Sequence, residues 1–454
     1  MKKNNLFSEF DAVSAKAFKQ KIQFDLKGAD YNELLLWSSP EGIAVKPFYH
    51  SDDITEPLKI STPDSWAIGE ALFIDDIQKT ATLIHKAVKG GAEELWLSAN
   101  ATFDIIALLK SIESKEIPIH FIFNFLDSAF YNMVKKVAQD IGVQAIIHSD
   151  IIHNFASTGN WYQSLDQDHQ LLKELVSEEL MNFGVNLELY ANAGANRIQQ
   201  LAYGLAQANE YLNFCTQNNL PIAPFVFKLG VSSNYFFEIA KVRAFRLLIE
   251  SLIAEYKLEI PYKILATPYL RDKTLYDYNT NMLRTTTACM SAILGGADSV
   301  INQPYDAIYH KLNDFGQRIA RNQLLILKRE SYFDVVSNPS DGSYYIDSIT
   351  QQLADKALNL FKDIEKSGGF IKQLKEGIIQ RKIKESARKE QEQFNEGKRI
   401  LLGTNKHPNS DDRMKENLEL YPFVKVKTRK TVIEPIIPKR LAQEVEQERL
   451  KQEE

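Results

Sequence analysis

The sequence predicts an α/β fold in which eight parallel strands close into a barrel, with an extended N-terminal arm and a helical, charged C-terminal extension. Three observations carry that expectation. Short apolar runs alternate with longer stretches of helical spacing through the middle of the chain, and strand–helix–strand repeated this often argues a parallel sheet. The runs are near-continuously apolar, as strands covered on both faces must be. The chain has 454 residues, more than the ~250 of a (β/α)8 TIM barrel, so a barrel leaves room for additions at both ends.

Residues 1–65 hold scattered apolar groups and a turn-like Ser39-Pro40-Glu41-Gly42 without a long periodic run, and read as the extended arm. Large apolar groups at Leu34–Trp37 and Pro47–Tyr49 lack the periodicity to form a core of their own and call for another surface to cover them. Residues 66–367 read as the barrel. Runs rich in β-branched, aromatic or leucine residues place strands at Glu94–Ser98, Ile119–Asn124, Gln144–His148, Asn186–Tyr190, Pro224–Leu229, Tyr262–Ala266 and Ser299–Asn302. The eighth strand is expected near Gly342–Ile346, after a helical stretch containing Ala320–Arg329. Asn196–Cys215 is the clearest helix, with Ile198, Leu201, Ala202, Leu205, Ala208 and Leu212 three and four apart. Gly295-Gly296 is expected to end a helix before a strand. An open doubly wound sheet is the alternative, but no Gly-x-Gly-x-x-Gly turn follows the first strand. Residues 368–454 read as the extension: Ile371–Asn395 with helical spacing and dense Lys and Glu, a loop over Gly403–Asp412, and a tail, Lys439–Glu454, expected as a solvated helix or disordered chain.

The balance of 54 Lys and Arg against 59 Asp and Glu gives a net charge of −5 and no reason to expect a nucleic-acid partner. Cys215 and Cys289, in expected helices, read as small buried hydrophobes in a reducing compartment rather than a disulfide framework. Glu9 and Asp11 interrupt what would be a secretory signal, and no run reaches the ~18 apolar residues of a membrane span. A cytoplasmic protein without a membrane partner is the expectation.

Chemistry-bearing patterns are sparse. His148, Asp150 and His153 gather at the mouth of an expected strand, but the histidine spacing shares no helical face, and a hydrogen-bonded loop is favoured over a metal site. No Ser-His-Asp set, phosphate-cradling glycine loop or Cys-x-x-Cys pair is present. Glu238 and Lys241 form an i, i+3 pair on a helix.

Several segments resemble the adenosylcobalamin-dependent acyl-CoA mutases, above all methylmalonyl-CoA mutase. They are Thr62–Ile68, Asn234–Ala244, Arg284-Thr285-Thr286, Leu294–Ser299, Arg318–Asn322 with Leu325–Leu327, and Asn338-Pro339 with Gly342–Ile346, in family order from about residue 30 to residue 400. In that family the barrel takes the acyl-CoA through its centre, and a separate C-terminal domain holds the cobalamin through a histidine in Asp-x-His-x-x-Gly. None of the eight histidines here lies in that motif, and no cobalamin-binding domain is expected.

The family's substrate positions also change. Trp-x-Ile-Arg-x-Tyr-Ala stands here as Trp66 to Leu72, with Gly69 for the arginine and Ala71 for the tyrosine. Gly-Tyr-His-x-Gln-Glu-Ala-Gly-Ala corresponds to Leu187 to Ala195, where the thioester histidine gives way to Leu189 or Ala191. Gln-Asn-Asp corresponds to His148-Ser149-Asp150, and the carboxylate-pairing arginine ten residues on falls near Thr158. Arg-x-His-x-Gln-Thr-Ser-Gly corresponds to Lys263 to Leu270, with Leu265 for the histidine. A buried substrate carboxylate needs a cationic partner, and a thioester oxygen needs a placed donor. The resemblance therefore implies no catalytic, cofactor-binding or metal residue in this chain, with Ala71, His148, Thr158, Ala191 and Leu265 as vestigial positions. It implies a small, non-catalytic subunit in a heterodimer, whose homologous large subunit binds adenosylcobalamin and which the arm wraps. An active barrel served by a separately encoded cobalamin domain, and a non-enzymatic barrel scaffold, are the other readings.

Overall fold

The structure, a computed structural model, describes residues 8–53, 58–425 and 428–453; the remainder of the arm and tail (1–7, 54–57, 426–427 and 454) lies outside the described residues. Helices α1 (Ala15–Asp25) and α2 (Tyr31–Leu35) precede a hairpin of β1 (Trp37–Ser38) and β2 (Ala44–Val45). Eight strands follow: β3 (Ala67–Phe73), β4 (Glu94–Ala99), β5 (Ile119–Phe123), β6 (Ala145–Ser149), β7 (Asn182–Asn186), β8 (Phe225–Val231), β9 (Tyr262–Pro268) and β10 (Ser299–Ile301). They pair in parallel in chain order, and β10 returns to β3 with Ser299 opposite Ala67, closing the barrel. The closed sheet excludes the doubly wound alternative.

Around it lie α3 (Ile77–Lys89), α4 (Ile105–Lys110), α5 (Ser128–Ile141), α6 (Ile151–Thr158), α7 (Leu165–Ser177), α8 (Leu187–Asn192), α9 (Arg197–Gln217), α10 (Tyr235–Glu255) and α11 (Thr280–Leu294). Then come α12 (Asp314–Leu325), α13 (Tyr344–Lys366), α14 (Phe370–Lys375), α15 (Ile378–Asn395) and α16 (Gln443–Gln452). One device starts four of the outer helices. Asp76, Asp104, Asp127 and Asp150 each accept a hydrogen bond from the backbone N–H three residues on, satisfying a donor the first helical turn leaves free. Both cysteines are buried in helices, and Gly295 ends α11.

Two strand expectations are corrected. Gly342–Ile346 is no strand: Gly342 takes φ +78° and Tyr344 opens α13. The missing strand is β3, at the other end of the barrel, whose Gly69, Glu70 and two alanines carry little β propensity and are held by pairing on both sides. Asn186–Tyr190 is likewise shifted. The strand ends at Asn186, whose side chain accepts from Glu188 N–H and starts α8, so Leu187, Leu189 and Tyr190 are buried as a helix. A short apolar run does not by itself distinguish these states.

The arm contains its own short elements. No residue of α1 is buried, whereas Ile43 lies in the barrel's main apolar cluster and the Glu41 side chain is 1% exposed, 2.8 Å from Arg197. Trp37 meets Phe237 edge-on with ring centroids 5.7 Å apart and remains 50% exposed. The chain's own barrel therefore covers part of the apolar arm. Deleting residues 1–30 is expected to lower the unfolding free energy by about 1 kcal/mol or less, and deleting residues 1–45, which removes Glu41 and Ile43, by about 3–5 kcal/mol; urea titration of the two truncations measures the difference.

The tail differs from a solvated helix. Leu441, Ala442, Gln443 and Glu446 are buried. Glu446 accepts from Leu275 N–H at 2.7 Å and pairs with Arg440 at 2.6 Å, and Glu453 accepts from the Tyr276 hydroxyl and, at 2.9 Å, from Met414 N–H. These charges are spent on tertiary partners that composition does not reveal.

Candidate functional site

Alternation along β3 turns Gly69 and Ala71 to the lumen and Glu70 outward, where it pairs with Arg321 of α12 at 2.9 Å. A Cβ on Gly69 would lie 2.7 Å from Ile301 Cγ1 and 3.2 Å from Trp96 Cδ1. The missing side chain is the space these two occupy. Trp96, on the inward face of β4 and 2% exposed, stacks on His120 of β5 with centroids 3.9 Å apart and planes at 6°. His120 Nδ1 is 2.9 Å from His148 Nε2 on β6. Val226, Leu265 and Ile301 complete an apolar cluster around Trp96, separate from the core between sheet and helices.

Towards the N-terminal ends of the strands, Glu94 of β4 reaches across the lumen. It pairs with Lys263 of β9 and accepts from Ser299 Oγ at 2.6 Å and Trp96 Nε1 at 3.3 Å. An ion pair, an indole and two imidazoles thus fill the barrel axis. Towards the C-terminal ends a cavity of about 230 Å3 remains, lined by Ala71, His148, Asp150, His153, Lys228 and Leu265 among others.

The polar groups here are used for holding structure. Asp150 accepts from His153 N–H at 2.8 Å and from Tyr211 Oη and Gln207 Nε2 at 2.7 Å each, and burial still lifts its carboxyl to about 6. Burial, with Lys263 nearby, lowers His120 to about 3; burial, with Lys228, lowers His153 to about 4; and His148 lies well below its ordinary value through burial and its neighbours His120 and Lys263. The imidazoles are neutral at pH 7. Among the described residues no group of three His, Cys, Asp or Glu side chains is arranged to hold a metal ion.

The histidines set a pH dependence. Unfolded histidine binds a proton near 6.5 and the folded His120 and His153 do so only near 3 and 4, so their stabilisation is lost as pH falls from 6.5. Asp150 acts oppositely between about 6 and 3.8. Glu365, lifted to about 7 by burial and Glu210, opposes the histidines as well, so the histidine contribution is read by difference: His153→Asn is expected to lose less stability than the unaltered chain between pH 6 and pH 4, by about 1 kcal/mol per pH unit, in urea titrations at stepped pH.

Of the positions singled out in the sequence, Ala71, His148 and Leu265 meet at the mouth cavity. Thr158 does not: it closes α6, its hydroxyl 2.7 Å from the Asn154 carbonyl. Ala191, in α8, lines a different cavity. Sequence reasoning missed Trp96, His120 and Glu94. The period-two pattern of Glu94, Trp96 and Ser98 was the available signal, but it does not say which face looks into a lumen.

Residues 84–452 match the protein family described as methylmalonyl-CoA mutase. The methylmalonyl-CoA mutase small subunit of Porphyromonas gingivalis is 34% identical over 448 residues, covering 90% of this chain and 72% of that one. Methylmalonyl-CoA mutase of Rhizobium meliloti is 25% identical, covering 83% of this chain and 61% of its own length, and the human mitochondrial enzyme is 25% identical, covering 88% and 60%. The chain thus spans about three-fifths of those two longer relatives. With a profile match over most of its length and a relative above 30% identity across nine-tenths of it, this chain belongs to the methylmalonyl-CoA mutase family.

Proposed function

We propose that this chain is the small, non-catalytic subunit of a heterodimeric methylmalonyl-CoA mutase. Its homologous large subunit binds adenosylcobalamin and interconverts methylmalonyl-CoA and succinyl-CoA by radical rearrangement. The observation that carries the reading is the filled barrel axis: Trp96, His120, His148 and the Glu94–Lys263 pair stand where the family's acyl-CoA would pass. Ala71 and Leu265 then stand where the family's tyrosine and histidine would meet a thioester, and Thr158 is turned to its own helix.

The described residues do not fit a cobalamin. His120 and His148 are buried and hydrogen-bonded to each other inside the barrel, His153 stands at the mouth beside Asp150, and none of the three lies in the Asp-x-His-x-x-Gly loop of the family. The name of the Porphyromonas gingivalis relative also favours a small-subunit role. On this reading the retained segments Asn234–Ala244 and Arg318–Asn322 serve the fold. Arg243 donates to Asp347 at 3.0 Å and Arg321 pairs with Glu70.

Co-expression with the homologous large mutase subunit tests it. The expected result is a one-to-one complex with cobalamin-dependent turnover, no tight binding of adenosylcobalamin or acyl-CoA by this chain in calorimetry, and no turnover from Ala71→Tyr alone, because catalytic groups that act as a unit are not regained singly. Turnover by this chain with adenosylcobalamin, or micromolar binding of it, overturns the proposal. No described helix is long and apolar enough to cross a membrane, and we place the complex in the cytoplasm.

A further inference from the structure

A second cavity, of about 190 Å3, sits over the C-terminal face of the barrel, walled by Glu41 of the arm, the turn after α8, Tyr269 and Arg271 after β9, and α15 with Arg399 beyond it. Its construction is specific. Gly194, at φ +99°, leaves room that a Cβ would take, 2.5 Å from Ala387 Cβ and 3.0 Å from Arg271 Cζ, so the guanidinium lies against the backbone under α15. Arg271 is 4% exposed; its Nε donates to Glu390 Oε2 at 2.6 Å and its Nη1 to the Lys439 carbonyl at 2.8 Å, which leaves Nη2 without a hydrogen-bond partner among the described residues. The Tyr269 hydroxyl, on a ring almost wholly buried, also has no hydrogen-bond partner among the described residues.

Charge is unbalanced in the same place. Arg197 is satisfied by Glu41 and Glu238, each at 2.8 Å, and Lys241 reaches Glu238 at 2.5 Å. That leaves Glu390 to serve both Arg271 and Arg399. The Arg399 guanidinium, on a side chain 23% exposed, makes no hydrogen bond among the described residues, and its nearest carboxylate oxygen is Glu390 Oε1 at 3.7 Å. The cavity lining as a whole carries five Lys and Arg against four Glu, and of its three guanidiniums Arg399 has the most distant carboxylate. A mostly buried cation without a hydrogen-bonded partner is unfavourable, and a fork of N–H donors matches a planar or tetrahedral oxyanion.

We propose that this cavity binds a small oxyanion, a carboxylate or phosphate group, held by Arg271, Arg399 and the Tyr269 hydroxyl. The bound group ties the arm turn, the barrel mouth and α15 together, since each contributes a wall. The site is independent of the filled axis and of the catalytic state of the partner.

The test uses the full chain, with inorganic phosphate in one arm, glutarate in the other and sodium chloride of equal ionic strength as reference. One of the two anions is expected to raise the thermal midpoint saturably, and calorimetry to give a single site. Arg399→Gln is expected to weaken binding at least tenfold, and Tyr269→Phe to weaken it less. Hydrogen exchange in α15 should slow on binding to the unaltered chain. Arg399→Lys keeps the charge and loses the fork, and is expected to bind more weakly than the unaltered chain even where Arg399→Gln fails to fold. Phosphate above glutarate, or the reverse, identifies the source of the oxyanion. No response beyond that of chloride, or unaltered affinity in a folded Arg399 variant, overturns the assignment.

Discussion

Replacing Trp96 with alanine is expected to lower the unfolding free energy by about 3–5 kcal/mol. The indole packs on His120, Val226, Leu265 and Ile301 and donates to Glu94, so its removal leaves both a void and a weakened hydrogen-bond set in the middle of the barrel. Gly69 and Ala71 opposite carry too little side chain to collapse into the gap. Urea unfolding measures the loss. The same variant separates packing from function: opening the axis restores none of the polar groups that would meet a thioester, so no acyl-CoA binding should appear in calorimetry. Acyl-CoA binding by Trp96→Ala would show that the indole alone blocks a competent channel.

Glu238→Gln is expected to be of similar size, about 3–5 kcal/mol, because it leaves the buried Lys241 without its carboxylate and Arg197 with only Glu41. Arg197 and Lys241 both lean on this carboxylate, and Ser232 Oγ donates to it at 2.7 Å. Burial alone would raise its pKa, but Lys241 and Arg197 together hold it at about 2, below its ordinary 4.5. A carboxyl depressed on folding stabilises above its unfolded value, and that stabilisation is lost as pH falls through its folded value. The gap between the unaltered chain and Glu238→Gln should therefore be full above pH 5 and close as pH approaches 2. A gap that persists at pH 2 would mean that shape, not charge, is lost.

This network shows how far the sequence reached. The i, i+3 spacing of Glu238 and Lys241 was legible, and so was the helix that carries them. The surrounding ions were not, since Glu41 and Arg197 lie 156 positions apart in the chain and meet only when the arm folds over α9 and α10. The pair that looked like an ordinary helix face is one of the most buried charge clusters in the molecule. The same limit hid β3. Its residues have weak local preference, and parallel partners on both sides decide its state.

The candidate site divides in the same way. Family pattern alone pointed to Ala71, His148 and Leu265, and these positions do meet at one mouth. It also pointed to Thr158 and Ala191, which do not join them, because Thr158 closes α6 against Asn154 and Ala191 of α8 lines the second cavity. By itself the sequence determined the alternation of strands and helices, the barrel class and the membership of the family, since these rest on local periodicity and on motifs read along the chain. Only the tertiary structure decided that the axis is filled, that the charged tail is buried and that two guanidiniums share one carboxylate. Each of those depends on which residues from distant strands and helices share a space, and local pattern carries no information about that.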